Sequence, residues 1–103
     1  MSSFIEELRV HALSGQEKFL RENKPLIDEI EERLTERAKT HGDIHARMCV
    51  SSEERLNVEK LMKILTSKGG RFEGLKYNFW FHGSEEYFDY NLVITGPEIN
   101  TKH

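Results

Sequence analysis

Apolar residues recur along this chain at two different spacings, one typical of helices and one typical of strands. From residue 4 to residue 42 they return every three or four positions, as on one face of an α-helix. From residue 43 onward, several stretches alternate apolar and polar residues, as strands with one buried face do. The pattern predicts a helical first part and a second part that combines strands with a helix.

The first helix is predicted to begin near Ser2 or Ser3. Ser14 and Glu17 have the spacing of a capping box, so a second helix could begin there. The apolar residues nevertheless keep their phase through Gly15, which favours one continuous helix.

A firmer boundary follows at Asn23-Lys24-Pro25, because proline suits the first turn of a new helix. This second helix is expected to end at Gly42. Four large aliphatic residues recur every seven positions, which favours helix packing within the chain or between two copies. They are Leu13, Leu20, Ile27 and Leu34. A homodimer through residues 4–38 is therefore one predicted partner arrangement.

The second part predicts a strand, a third helix and a β-hairpin. Residues 44–50 alternate strictly, and a capping box from Ser51 to Glu54 begins the helix that Gly69-Gly70 ends. Residues 75–82 form the first hairpin strand, and the segment 82–85 holds the turn signal. The inward side chains of the hairpin are predicted to be Leu75, Tyr77, Phe79, Phe81, Phe88, Tyr90, Leu92 and Ile94.

These elements predict one α+β domain over residues 1–103, in the order α-α-β-α-β-β. Its three-stranded sheet is expected to be mixed, with a parallel crossover over residues 44–82 and an antiparallel hairpin, all packed by helices. Residues 1–42 would form a helical arm or hairpin. Residues 43–97 would form the strand–helix–hairpin unit, and residues 98–103 a tail.

Composition narrows the expected partners and compartment. The net charge of -3 weighs against general nucleic-acid or anionic-membrane binding, although a local basic patch stays open. The apolar runs are too short to span a bilayer, and acidic residues stand where a signal peptide would carry basic ones. A single cysteine, Cys49, excludes an internal disulfide. We therefore expect a cytoplasmic protein without a membrane partner.

The second face of the predicted sheet holds the candidate binding residues. Aromatic rings beside cations suit stacking on a base together with phosphate contacts, or the anchoring of a partner protein. The alternative is that Trp80 and Tyr87 pack beneath the N-terminal helices. The candidate site residues are Arg47, Lys76, Trp80, His82 and Tyr87.

No catalytic residue, cofactor or metal is predicted. His41 and His45 have a metal-ligand spacing, but Gly42 and Asp43 separate them and no further ligands complete a set. Cys49 lacks the activating surroundings of a nucleophile.

The expected function is accordingly that of a small, non-enzymatic interaction protein. It would act as an inhibitor, adaptor or regulator by binding a macromolecule, as accessory proteins of phages and mobile elements do. The alternative is a small-ligand binder for a nucleotide or signalling phosphate. In that case Trp80 or Tyr87 would stack on the base, while Arg47 and Lys76 would contact the phosphate.

Overall fold

The computed structural model describes residues 3–83 and 88–99, and it confirms the α+β class and the order α-α-β-α-β-β. Its described elements are α1 (Phe4–Glu22), α2 (Lys24–His41), β1 (His45–Ser51), α3 (Arg55–Thr66), β2 (Lys76–Gly83) and β3 (Phe88–Thr95). His82 and Gly83 of the predicted turn at 82–85 belong to β2, and the other half of that turn lies outside the described residues, as does most of the predicted tail.

The prediction of a mixed sheet is wrong, because the strand order is β1-β3-β2 and both pairings are antiparallel. β1 and β2 run in the same direction, but β3 lies between them. Burial differs between the central strand and the edge strand β2. Leu92 and Ile94 of β3 are fully buried, whereas Tyr77 and Phe79 of β2 are only half-buried.

The core lies on one face of this sheet, beneath α2 and α3. Ile30 of α2 and Leu61 and Met62 of α3 are fully buried against the inward side chains of the strands. The buried hydrophobic residues are Ile30, Ala46, Met48, Val50, Val58, Leu61, Met62, Leu65, Phe72, Leu92 and Ile94.

Local capping fixes the ends of α1 and α2 where the sequence predicts them, whereas α3 begins at Arg55, after the predicted Ser51 cap, and ends at Thr66, before Gly69-Gly70. The Glu6 backbone N–H donates to Ser3 Oγ over 3.2 Å at the start of α1. α1 continues through Gly15, and the next helix begins after Asn23. Gly42 ends α2 in the left-handed conformation, with φ of 74°, which glycine adopts without steric cost.

An ion pair joins the end of α2 to the turn before β1. Arg37 Nε and Nη2 donate to the two carboxylate oxygens of Asp43 over 2.6 and 3.0 Å. This hydrogen bonding, with the charge of Arg37, holds the pKa of Asp43 below its ordinary value.

Replacing Asp43 with asparagine is therefore expected to lower the melting temperature modestly near neutral pH. A carboxylate whose pKa is depressed in the folded state stabilises that state above its unfolded pKa of about 3.9, and loses this contribution as the pH falls further. Thermal unfolding of both proteins across pH 2 to 7 measures the effect, and the two curves should converge at the acid end. In an Arg37→Gln background the Asp43→Asn change should have little further effect, and an undiminished effect there would contradict the pairing.

Candidate functional site

None of the described helices covers the sheet face that points away from α2 and α3, and we call it the open face. Trp80, midway along edge strand β2, is 63% exposed, and Arg47, Lys76 and His82 are exposed as well. The N-terminal helices do not pack over Trp80, so that alternative is wrong for Trp80. The open face consists of His45, Arg47, Cys49 and Ser51 on β1, Asp89, Asn91, Val93 and Thr95 on β3, and Lys76, Asn78, Trp80 and His82 on β2.

Strand register brings Arg47 and Trp80 together on this face. Trp80 is paired with Asn91, and Arg47 is paired with Val93 two positions further along β3. Together with His45, these side chains line a shallow depression of about 310 Å³. A guanidinium and an indole ring therefore lie on opposite walls of one depression, although they belong to the two edge strands.

The other candidate residues lie further apart. Lys76 and His82 stand at opposite ends of β2, six residues from each other, which is about 20 Å along a strand. Lys76 is paired with Thr95, and His82 with Asp89. Tyr87 lies outside the described residues.

Sequence reasoning did not select three residues that line the depression, namely His45, Asn91 and Val93. Alternation along β1 and β3 already assigns them to the same face. The predicted hairpin already brings Asn91 and Val93 beside Trp80. The position of His45 depends on β1 pairing with β3, which alternation does not encode.

The described acidic residues of the chain do not pair with Arg47 or Lys76 of the open face. Among the described residues, no ion pair includes Arg47 or Lys76, whereas Arg33 and Arg37 each bind a carboxylate. Asp89 is the one acidic residue among the described members of the open face. The described part of the face thus carries more basic than acidic side chains, in a chain whose net charge is -3.

A side chain of α2 hydrogen-bonds to the backbone at the outer edge of β1, beside the open face. Arg33 Nη1 donates to the Arg47 carbonyl oxygen over 3.2 Å, and Arg33 Nη2 also binds Glu29 over 3.1 Å. This contact occupies a backbone group that a further strand would otherwise use. The open face is therefore more accessible to a partner than the edge of β1 is.

A larger groove of about 680 Å³ lies between α2 and β1. It shares His45 and Arg47 with the depression on the open face. Carboxylates and guanidinium groups alternate along its walls, so it presents no single sign of charge. Its lining residues are Glu29, Glu32, Arg33, Glu36, Arg37, Thr40, His41, His45, Ala46 and Arg47.

The open face has the chemistry of a recognition surface. It offers a large aromatic ring, two cations and two side-chain amides on a paired sheet, and groups of these kinds can anchor and orient a partner. In the described part of the chain, no three His, Cys, Asp or Glu side chains lie close enough to hold a metal ion.

No protein-family model, curated protein or solved structure matches this chain. None of the described helices is both long and apolar enough to cross a membrane. Function is therefore inferred from the open face itself.

Proposed function

We propose that this chain is a non-enzymatic interaction protein that binds a partner protein through its open face and so acts as an inhibitor, adaptor or regulator. The exposed indole of Trp80 carries the proposal. Tryptophan and arginine are enriched among the residues that supply most of the energy of protein interfaces. Both occur here on the two walls of one depression, in an otherwise polar face.

The surroundings of Trp80 resemble the layout of protein interfaces. Asn78, Asn91 and His82 lie around the indole ring and can exchange water for hydrogen bonds with a partner. The backbone beneath them is a paired sheet, so little ordering is needed when a partner docks.

Charge defines the chemistry of the expected partner. Arg47 and Lys76 are exposed and engaged in no ion pair among the described residues. A partner surface that carries carboxylates around an apolar recess for the indole ring would complement them. Such a complex should associate more slowly as salt is added, because screening weakens the attraction between exposed charges.

Capture from a lysate of the source organism tests the proposal. The full chain is immobilised as wild type, as Arg47→Ala and as Arg9→Ala, a charge-matched control on α1, all in reducing buffer suited to a cytoplasmic protein. We expect a nuclease-resistant protein partner that the wild type and Arg9→Ala retain and that Arg47→Ala largely loses. Equal capture by the three baits would contradict the assignment of the open face.

The depression between Trp80 and Arg47 favours a second candidate, a nucleotide or signalling phosphate. Its volume of about 310 Å³ is near the lower end of the range for small-ligand sites. The indole ring could stack on a base while Arg47 contacts phosphate.

Intrinsic fluorescence separates the two candidates, because Trp80 is the chain's only tryptophan. Titration with adenine and guanine mono-, di- and triphosphates is expected to leave the emission of Trp80 unchanged. Saturable quenching that Arg47→Ala abolishes would indicate that the open face binds a nucleotide, and it would contradict the proposal of a protein partner.

A further inference from the structure

The first half of α1 makes few packing contacts with the rest of the chain. Every residue from Ser3 to Lys18 is exposed, and only Phe19 and Leu20 near the end of the helix reach the core. Lys60 lies over the Phe19 ring at 4.7 Å and helps to hold that end. Helical segments of fewer than about 15 residues are marginal in water without tertiary packing. The first half of α1 is thus poorly supported within a single copy of the chain.

One side of this exposed half is apolar, and we call it the apolar stripe. Its members fall within a sector of about 100° around the helix axis. The stripe consists of Phe4, Ile5, Leu8 and Ala12. Phe19 lies in the same sector and packs against the core. The stripe is therefore the core-facing side of α1 continued past the end of the core.

We propose that the apolar stripe binds the stripe of a second copy of this chain, with the two α1 helices antiparallel. A two-fold axis midway between Leu8 and Ala12 places Leu8 of each copy opposite Ala12 of the other. The same axis places Ile5 opposite Gly15. Leu8 and Ile5 then each meet a small residue, which lets the helices approach closely near the axis. A Cβ atom added at Gly15 would have no neighbour within 4 Å, so there is room for the partner's Ile5.

The apolar area is about what such an interface needs. Phe4, Ile5 and Leu8 are 70%, 77% and 49% exposed. At about 200 Å² for a large side chain, they expose roughly 400 Å² on each copy. A specific interface buries about 800 Å² per partner, of which a little over half is apolar. The stripe supplies close to that apolar share, and flanking polar residues of α1 would supply the rest.

Dimerisation through α1 is independent of the open face, which lies on the sheet. A dimer would present two open faces, and a partner with two matching sites would gain affinity from bivalent binding. The Trp80→Ala variant should therefore dimerise as the wild type does. This separates a failure of the dimer proposal from a failure of the proposed function.

Sedimentation velocity of the full chain over a range of concentrations tests the proposal. We expect the wild type to reach twice the chain mass of 12.1 kDa. Ile5→Glu should raise the dissociation constant at least about tenfold, because it places a charge in the contact. Val10→Glu is the matched control, since Val10 is 66% exposed and lies on the opposite side of the helix from the stripe. A wild type that stays monomeric, or a Val10→Glu variant that dissociates as readily as Ile5→Glu, would overturn the proposal.

Disulfide trapping tests the antiparallel arrangement. Cys49→Ser removes the only native cysteine, and Ile5→Cys and Gly15→Cys are then introduced separately. Oxidation of an equal mixture should favour the disulfide between the two different variants. A predominance of disulfides between two Ile5→Cys chains would instead indicate parallel helices and overturn the arrangement. Near-ultraviolet circular dichroism of Trp80 checks that every variant keeps its fold.

Discussion

Replacing Trp80 with alanine is expected to weaken the binding of the partner protein by about 2 kcal/mol or more, which is roughly thirtyfold in affinity. The change removes the largest apolar group of the open face. It also leaves Arg47 without the indole ring that would exclude water from its contacts with the partner. Titration calorimetry with the purified partner measures the loss.

Leu56→Ala is the matched control for this prediction. Leu56 is a large exposed apolar residue of α3, on the helical side of the molecule, so its truncation should leave the affinity unchanged. The free energy of unfolding of Trp80→Ala should lie within about 0.5 kcal/mol of the wild-type value, because the Trp80 side chain is mostly exposed. If the folded Trp80→Ala protein bound the partner with full affinity, Trp80 would not be part of the interface.

Replacing Leu92 with alanine is expected to lower the free energy of unfolding by about 3 kcal/mol. Leu92 is fully buried on the central strand, where it pairs with Met48 of β1 and Phe79 of β2. Its loss would leave a cavity beneath both helices. Domains of this size are stable by about 5–15 kcal/mol, so the variant should still fold. Urea denaturation followed by the far-ultraviolet circular dichroism of both proteins gives the difference.

Val93→Ala provides the comparison on the same strand. Val93 follows Leu92 directly but points to the open face, where it is half-buried in the depression. Its truncation should cost less than about 1 kcal/mol, since little packed volume is lost. Similar losses for the two variants would contradict the distinction between a core face and an open face of β3.

Helix boundaries and strand faces can be predicted from sequence because their causes are local. Ser3 caps α1 with its own hydroxyl, and Gly42 ends α2 because its backbone adopts a left-handed conformation. Alternation alone places Arg47 and Trp80 on the same side of the sheet.

Strand order cannot be predicted in the same way. Any order of the three strands buries the same alternating residues, so periodicity does not distinguish β3 at the edge from β3 in the centre. Phe81 illustrates the consequence. Alternation predicts it on the buried side of the hairpin, but it is 57% exposed on edge strand β2 and packs edge-to-face against Tyr90.

The exposure of the open face also depends on a tertiary feature. Leu20, Ile27 and Leu34 pack against the core from α1 and α2, and their spacing is equally compatible with helices on either face of the sheet. In the structure α2 and α3 pack on the same face of the sheet, and this arrangement leaves Trp80 exposed on the other face.

Protection of Cys49 from alkylation tests the central claim, that a partner protein binds the open face, most directly. Cys49 is the chain's only cysteine; it is exposed and lies in the same cross-strand row as Asn91 and Trp80. Maleimide labelling followed by mass spectrometry should modify Cys49 readily in the free chain and much more slowly in the complex with its partner. Equal labelling rates in the free and bound states would contradict binding at the open face.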